Sequence, residues 1–193
     1  MVREFILYSR TGRTSGNFKS LYEAGRLDVV YQCIMMAIYE SYASRKDVLF
    51  HAILNGPPDP PKELLVESNL LRDAPPEQGY WEKIIRKVLS GKSHPGITVK
   101  KNNFQALIET KRDVFVLEKK GTDIWEIEIG ENPVFVLGDQ IGLPKNEERF
   151  ALRRGTKVSL GEREYTSAQC ICILNYVLDR RKNLSKDQPL KLY

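Results

Sequence analysis

Residues able to do chemistry are scarce in this chain, and most stand at the wrong spacing for the usual reactions. Its two histidines are His51, inside an apolar run, and His94, before Pro95-Gly96. The first reads as a satisfied core residue and the second as part of a turn. Cys170 and Cys172 are one residue too close for a zinc knuckle and have no partner ligand nearby, so no metal site is expected. The chain has no phosphate-binding loop, no dinucleotide glycine fingerprint and no nucleophile elbow. What it does have is three short apolar runs with abrupt polar or glycine ends: Leu117 before Glu118, Leu137-Gly138-Asp139, and Ser159-Leu160-Gly161. In parallel α/β sheets, ligands bind beyond the carboxyl ends of strands. Glycine at such an end lets backbone N–H and C=O groups approach a flat ligand and read an adenine edge. Closing a turn is the plainer use of the same glycines.

Those runs need a sheet to hold them. Residues 5–8 read as a strand, followed by a polar, basic, glycine-punctuated loop over 9–17. Leu27, Val30, Tyr31, Ile34, Met35, Ile38 and Tyr42 recur at three- and four-residue spacing, which predicts a helix over 26–42 with one buried stripe. Val48–Leu54 is nearly continuous in apolar residues, as in a strand covered on both faces, and stops at a proline-rich turn over 55–61. A second helix is expected over 78–89, an extended segment at 97–99, and further strands at 113–117, 133–137 and 157–160. Thr166 or Ser167 can N-cap a closing helix that runs to about Arg181. Strands alternating with helices predict an α/β fold, a mostly parallel sheet flanked by helices, in a single domain over 1–193.

The 193 residues are 41% hydrophobic and 28% charged, which suits a globular protein with a real core and excludes a disordered segment. No apolar run approaches the ~20 residues of a membrane-spanning helix, and the first residues do not resemble a signal peptide, so no membrane association is expected. Cys33, Cys170 and Cys172 are too few for a disulfide framework, which predicts a reduced, cytoplasmic protein. The net charge of +5 is unevenly spread. Residues 1–26 hold five basic side chains against two acidic ones, and so do residues 179–193. Basic ends on a neutral body suit a polyanion if they meet on one face; otherwise they are solvated termini.

Taken in order, Gly25-Arg26-Leu27-Asp28, residues 56–61, His94-Pro95-Gly96-Ile97, residues 132–142, Val158-Ser159-Leu160-Gly161, Ala168-Gln169-Cys170-Ile171, Asn175 and Leu178-Asp179 resemble the archaeal TrmY family. These are tRNA pseudouridine N1-methyltransferases of the SPOUT superfamily. The likeness spans essentially the whole chain with compatible spacing. It implies a SPOUT-type α/β fold with a C-terminal trefoil knot, S-adenosylmethionine as methyl donor, a homodimer, and methylation of N1 of pseudouridine 54 in the TΨC loop of tRNA. One position departs. Gln140 stands where family members commonly carry histidine, which points to hydrogen bonding and away from proton transfer.

The resemblance assigns the cofactor to Leu117, Gly138 and Cys170, with Leu137, Ser159 and Leu160 completing the walls, in agreement with the strand-end reading. Three uses are open to Cys170: a small soft wall, a catalytic thiol, or core packing. Asp28 and Arg26 are the catalytic candidates, Asp28 to hold or accept the ring N–H and Arg26 to stabilise charge on the base carbonyls. A helix-start charge pair is the simpler role for the two. Arg10, Arg13 and Lys19 are candidates for RNA-phosphate contacts, together with the basic C-terminal tail. Tyr8, Phe18 or Tyr22 could stack on a flipped base. A dimer in which each subunit gives half a site would bring Arg26 and Asp28 to the C-terminal cofactor pocket. The alternatives are a non-catalytic RNA-binding module of the same fold and a methyltransferase acting on rRNA.

Overall fold

Phe5, Ile6 and Leu7 are consecutive and fully buried, and a strand with no solvent face belongs in the middle of a sheet. In the computed structural model, which describes residues 1–184 (the side chains of Asn183 and Leu184 apart), that is where they lie. Strand β1 (Arg3–Ser9) pairs in parallel with β2 (Val48–Leu54) on one side and β6 (Val134–Gly138) on the other. Beyond β6, β5 (Val114–Asp123) and β7 (Gly155–Ser159) continue the parallel arrangement. Beyond β2, β3 (Lys62–Glu67) and β4 (Ile97–Lys101) add antiparallel, giving the order β4-β3-β2-β1-β6-β5-β7. All five parallel strands therefore end at one edge of the sheet.

Helices cover both faces. On the face of Phe5, Leu7, Phe50 and Phe135 lie α1 (Leu27–Ile38), α2 (Gln78–Leu89) and α5 (Ser167–Leu184). The shorter α3 (Phe104–Glu109) and α4 (Lys145–Ala151) pack on Ile6, Ile53, Val116 and Val136. The mostly parallel sheet flanked by helices is the architecture that the alternation of elements predicts.

Local differences have local causes. The predicted helix over 26–42 stops at Ile38, because Tyr39 turns extended and bridges to Ser44; Tyr42 is exposed. β3, α3 and α4 were not expected. Helices of six and seven residues are too short to display a helical period. In β3 the alternation is broken by Glu63, a carboxylate buried as thoroughly as its apolar neighbours. β5 continues past Leu117 to Asp123 through a register break against β7. Lys186 and Lys191 of the expected basic tail lie outside the described residues. Arg181 is occupied within the fold, donating to the carbonyls of Ile124 and Ile127 beside the Trp125 ring.

Two buried polar clusters pin the sheet. At the amino end of β1, Arg3 is 1% exposed and donates to Asn175 Oδ1 at 2.9 Å, Asp179 Oδ1 at 3.0 Å and Asp47 Oδ2 at 3.1 Å. On the other face, His51 Nδ1 lies 2.7 Å from Glu63 Oε1 and its Nε2 lies 2.8 Å from Glu4 Oε1. Burial by itself would lower the His51 pKa, but the bonds to Glu4 and Glu63 outweigh it and hold the ring above its ordinary value. Burial likewise pushes Glu63 up. Hydrogen bonds from His51 and Asn102, with the charges of His51 and Lys100, more than reverse this and leave it at about 2.

A raised histidine stabilises the fold below its unfolded pKa of 6.5, and that contribution is lost as pH climbs through the folded value. The depressed carboxylates contribute above 4.5 and lose their effect as pH falls toward 2. Chemical denaturation across a pH series is therefore expected to show stability declining on the alkaline side, and His51→Gln should flatten that decline. An alkaline limb identical in the variant would refute the assignment.

Candidate active site

The edge where the parallel strands end is organised around Gly138, the last residue of β6. A Cβ there would stand 2.2 Å from Leu143 N and 2.7 Å from Gly142 Cα, so the loop over 139–143 folds back directly on the strand end. Asp139 locks it: Oδ2 accepts from Arg10 N at 2.7 Å and Oδ1 from Ile141 N at 2.9 Å. Gly142 takes the left-handed conformation at φ +87°, and its carbonyl accepts from Arg10 Nε at 3.0 Å. Ser167, the first residue of α5, donates its hydroxyl to the Gly138 carbonyl at 2.6 Å. The beginning of α5 is thus docked on the end of β6.

Between this loop, the middle of β5 and the segment after β7 lies an open cavity of about 400 Å³. Four of the predicted cofactor residues, Leu117, Ser159, Leu160 and Cys170, are in its wall, joined by Ile141 and Tyr165. Leu137 and Gly138 are not. Leu137 is 3% exposed in the core, and Gly138 supports the loop from behind. The Ser159 hydroxyl faces its own turn, accepting from Gly161 N at 3.1 Å. Burial pushes the Cys170 thiol up to about 11, which suits a wall and not a nucleophile. The charged lining comprises Glu118, Lys119, Asp139, Arg163 and Glu164.

A second cavity, about 380 Å³, adjoins the first and shares Asp139, Gln140, Glu164 and Tyr165 with it. Its other side is the start of α1, with Arg26, Val29 and Gln32. Arg26 therefore lies beside the first cavity within one chain, and a second subunit is not needed to bring it there. Asp28 is not in this wall. It grips Arg26, with Nε to Oδ1 at 3.0 Å and Nη2 to Oδ2 at 3.1 Å, and so forms the helix-start charge pair. That pairing raises the Arg26 pKa and aims the guanidinium, which lies 4.9 Å from the centre of the Tyr22 ring.

The RNA candidates separate. Arg10 braces the loop, while Lys19 is exposed and Arg13 half-buried. Phe18 is buried beneath Arg86, and Tyr8 packs edge-on against Phe104. Tyr22 is 65% exposed beside Arg26 and is the aromatic free to stack. Sequence reasoning missed Ile141, Arg163, Glu164 and Tyr165. The Glu-Arg-Glu-Tyr stretch over 162–165 reads only as a polar connection, and topology alone carries it to the cavity.

The order and direction of the strands, with helices on both faces, match a known fold. Archaeoglobus fulgidus Nep1 bound to S-adenosylhomocysteine superposes with a TM-score of 0.71 over 95% of this chain and 100% of its own, at 14% identity, which makes this a SPOUT-type methyltransferase fold. The chain belongs to the family described as "Putative SAM-dependent RNA methyltransferase", which matches residues 2–183. Among curated relatives, a Methanocaldococcus jannaschii protein is 32% identical over 94% of this chain and 98% of its own. One from Pyrococcus abyssi is 35% identical over 93% and 98%. Both are named tRNA (pseudouridine(54)-N(1))-methyltransferase.

The residues present fit S-adenosylmethionine, the methyl donor of this family. Leu117, Ile141 and Leu160 offer apolar surface for an adenine, and backbone at the strand ends can read its edge. Glu118, Asp139 and Glu164 outnumber Lys119 and Arg163 in the wall, a balance that favours a sulfonium cation.

Replacing Gly138 with Ala should lower affinity for the cofactor roughly tenfold or more, because backbone and not a flexible side chain must move. Titration calorimetry measures this, and undiminished binding would show that the loop is not built on this contact. A thiol at about 11 is only about one part in 10⁴ thiolate at pH 7. Thiol titration should therefore find exposed Cys172 reacting first and Cys170 slowly, with Cys172→Ser abolishing the fast phase.

Proposed function

We propose that this protein transfers a methyl group from S-adenosylmethionine to N1 of pseudouridine 54 in the TΨC loop of tRNA. The observation that carries the reading is the Arg26 cavity set against the cofactor-type cavity, in a chain aligned nearly end to end with relatives of that name. When bound, the cofactor supplies an electrophilic methyl on a sulfonium whose departure leaves a neutral thioether. The protein's part is to hold the ring in line and to stabilise it as it loses its N1 proton. Negative charge then spreads to the two ring carbonyl oxygens, and Arg26, aimed by Asp28, is the cation at that cavity able to meet it. Gln32 and Gln140 supply amide donors and acceptors for the ring edge. Leu117, Leu160 and Cys170 hold the cofactor, while Ser159, Leu137 and Gly138 shape the loops around it.

Lys19 and Arg13 contact phosphates near the target, and Tyr22 stacks on the extruded base. The working unit is a cytoplasmic homodimer of single-domain chains. Exposed Met36 on α1 and Tyr176 on α5, with an apolar hollow of about 400 Å³ between these helices, support a second copy on this face. The passage of the chain from edge strand β7 back across the sheet to dock Ser167 on Gly138 supports a trefoil knot here.

Incubation with S-adenosylmethionine and tRNA carrying pseudouridine 54 should yield the N1-methyl nucleoside at that position, read by mass spectrometry of digested RNA. Product at another site, or none, would overturn the reading. Arg26→Ala is expected to lower kcat roughly 100-fold while leaving cofactor affinity nearly unchanged.

A further inference from the structure

The methyl group arrives from one cavity and the ring lies in the other, so a group that takes the N1 proton must stand where the two meet. Four residues line both: Asp139, Gln140, Glu164 and Tyr165. Asp139 is spent, since each of its oxygens already accepts a backbone N–H, from Arg10 and from Ile141. An amide such as Gln140 can accept a hydrogen bond but does not take up a proton at neutral pH. Tyr165 offers a hydroxyl, which can donate or accept a hydrogen bond but is not a carboxylate. Asp28 is held in a two-point grip by Arg26, outside the wall of either cavity.

Glu164 is different. Lys119 Nζ, reaching from the middle of β5, bonds Glu164 Oε1 at 3.0 Å and ties the carboxylate across the cofactor cavity. Its second oxygen, Oε2, has no partner among the described residues. The side chain is 78% exposed, so a proton it receives can pass on to solvent.

We propose that Glu164 accepts the N1–H of the target base, both reading it and taking its proton. The assignment rests on the substrate reading given above. Uridine is attached to its ribose through N1 and presents C5–H where pseudouridine, attached through C5, presents N1–H. A carboxylate oxygen at that point bonds the second base and finds no donor on the first, so one side chain supplies both selectivity and proton transfer. In the step itself the N1–H bond breaks toward Glu164, and the electron pair left on N1 forms the bond to the methyl carbon. The carbon–sulfur pair stays on sulfur, and the protonated Glu164 returns its proton to water. Lys119 acts as a positioning residue.

The test compares a TΨC-arm RNA bearing pseudouridine with the same RNA bearing uridine, bound in the presence of S-adenosylhomocysteine and followed by fluorescence anisotropy. Wild type should prefer pseudouridine roughly tenfold, the discrimination expected of one hydrogen bond to a charged acceptor. Glu164→Ala should bring the ratio close to one. Glu164→Gln keeps an acceptor but no base, so it should retain part of the preference while kcat falls roughly 100-fold. S-adenosylhomocysteine is kept saturating for each variant, so that any change in its affinity, expected because Glu164 also lines that cavity, does not enter the ratio. Undiminished discrimination in Glu164→Ala, or wild-type turnover in Glu164→Gln, would overturn the assignment alone. Wild-type protein that fails to methylate the pseudouridine RNA would instead overturn the substrate reading, and Glu164 with it.

Discussion

Backbone pressed against backbone at Gly138 is the contact on which the site rests. Leu143 N and the main chain of Gly142 occupy the space that any side chain would need. Because the loop lies there, Asp139 can spend both its oxygens on the N–H groups of Arg10 and Ile141, and Arg10 can reach the Gly142 carbonyl. Because the Gly138 carbonyl is left free of the ladder, Ser167 can dock on it and start α5 there. Floor, rear wall and the position of Cys170 then follow from one missing Cβ.

A second constraint acts from the opposite edge of the sheet. Burying the Arg3 guanidinium is unfavourable unless its donors find partners, and Asp47, Asn175 and Asp179 provide them from separate parts of the chain. Arg45 shares Asp179, and the Asn175 amide also donates to the carbonyl of Met36 at 2.8 Å, near the end of α1. These bonds hold α1 and α5 side by side. Both helices begin beside the two cavities, one after Arg26 and the other at Ser167, so the polar cluster at the amino end of β1 helps to set the spacing between them. Tight helix packing transmits that spacing because a packed interface has little slack.

Much of this was legible in the residues. Apolar runs at Val48–Leu54 and at 133–137 read as buried strands, the stripe beginning at Leu27 read as α1, and the strand-end glycines pointed to the edge of the sheet where the first cavity lies. Leu117, Ser159, Leu160 and Cys170, picked out by local pattern, line one cavity at that edge. Leu137, picked out by the same pattern, is buried in the core and outside that lining. Asp28 shows a different limit. Its spacing from Arg26 revealed that the two interact, but not which of them would face the cavity.

Composition and periodicity by themselves determined the α/β class and the order of the longer helices and strands. They do so because helix and strand periods are short-range properties, written over a few residues. The tertiary structure alone decided that Glu164 and Tyr165 share a wall with Arg26, that Arg10 braces a loop, and that Glu63 and Arg3 are buried with partners. Those facts depend on contacts between segments more than a hundred residues apart in some cases, such as the 172 separating Arg3 from Asn175, and no local pattern encodes a distance of that kind.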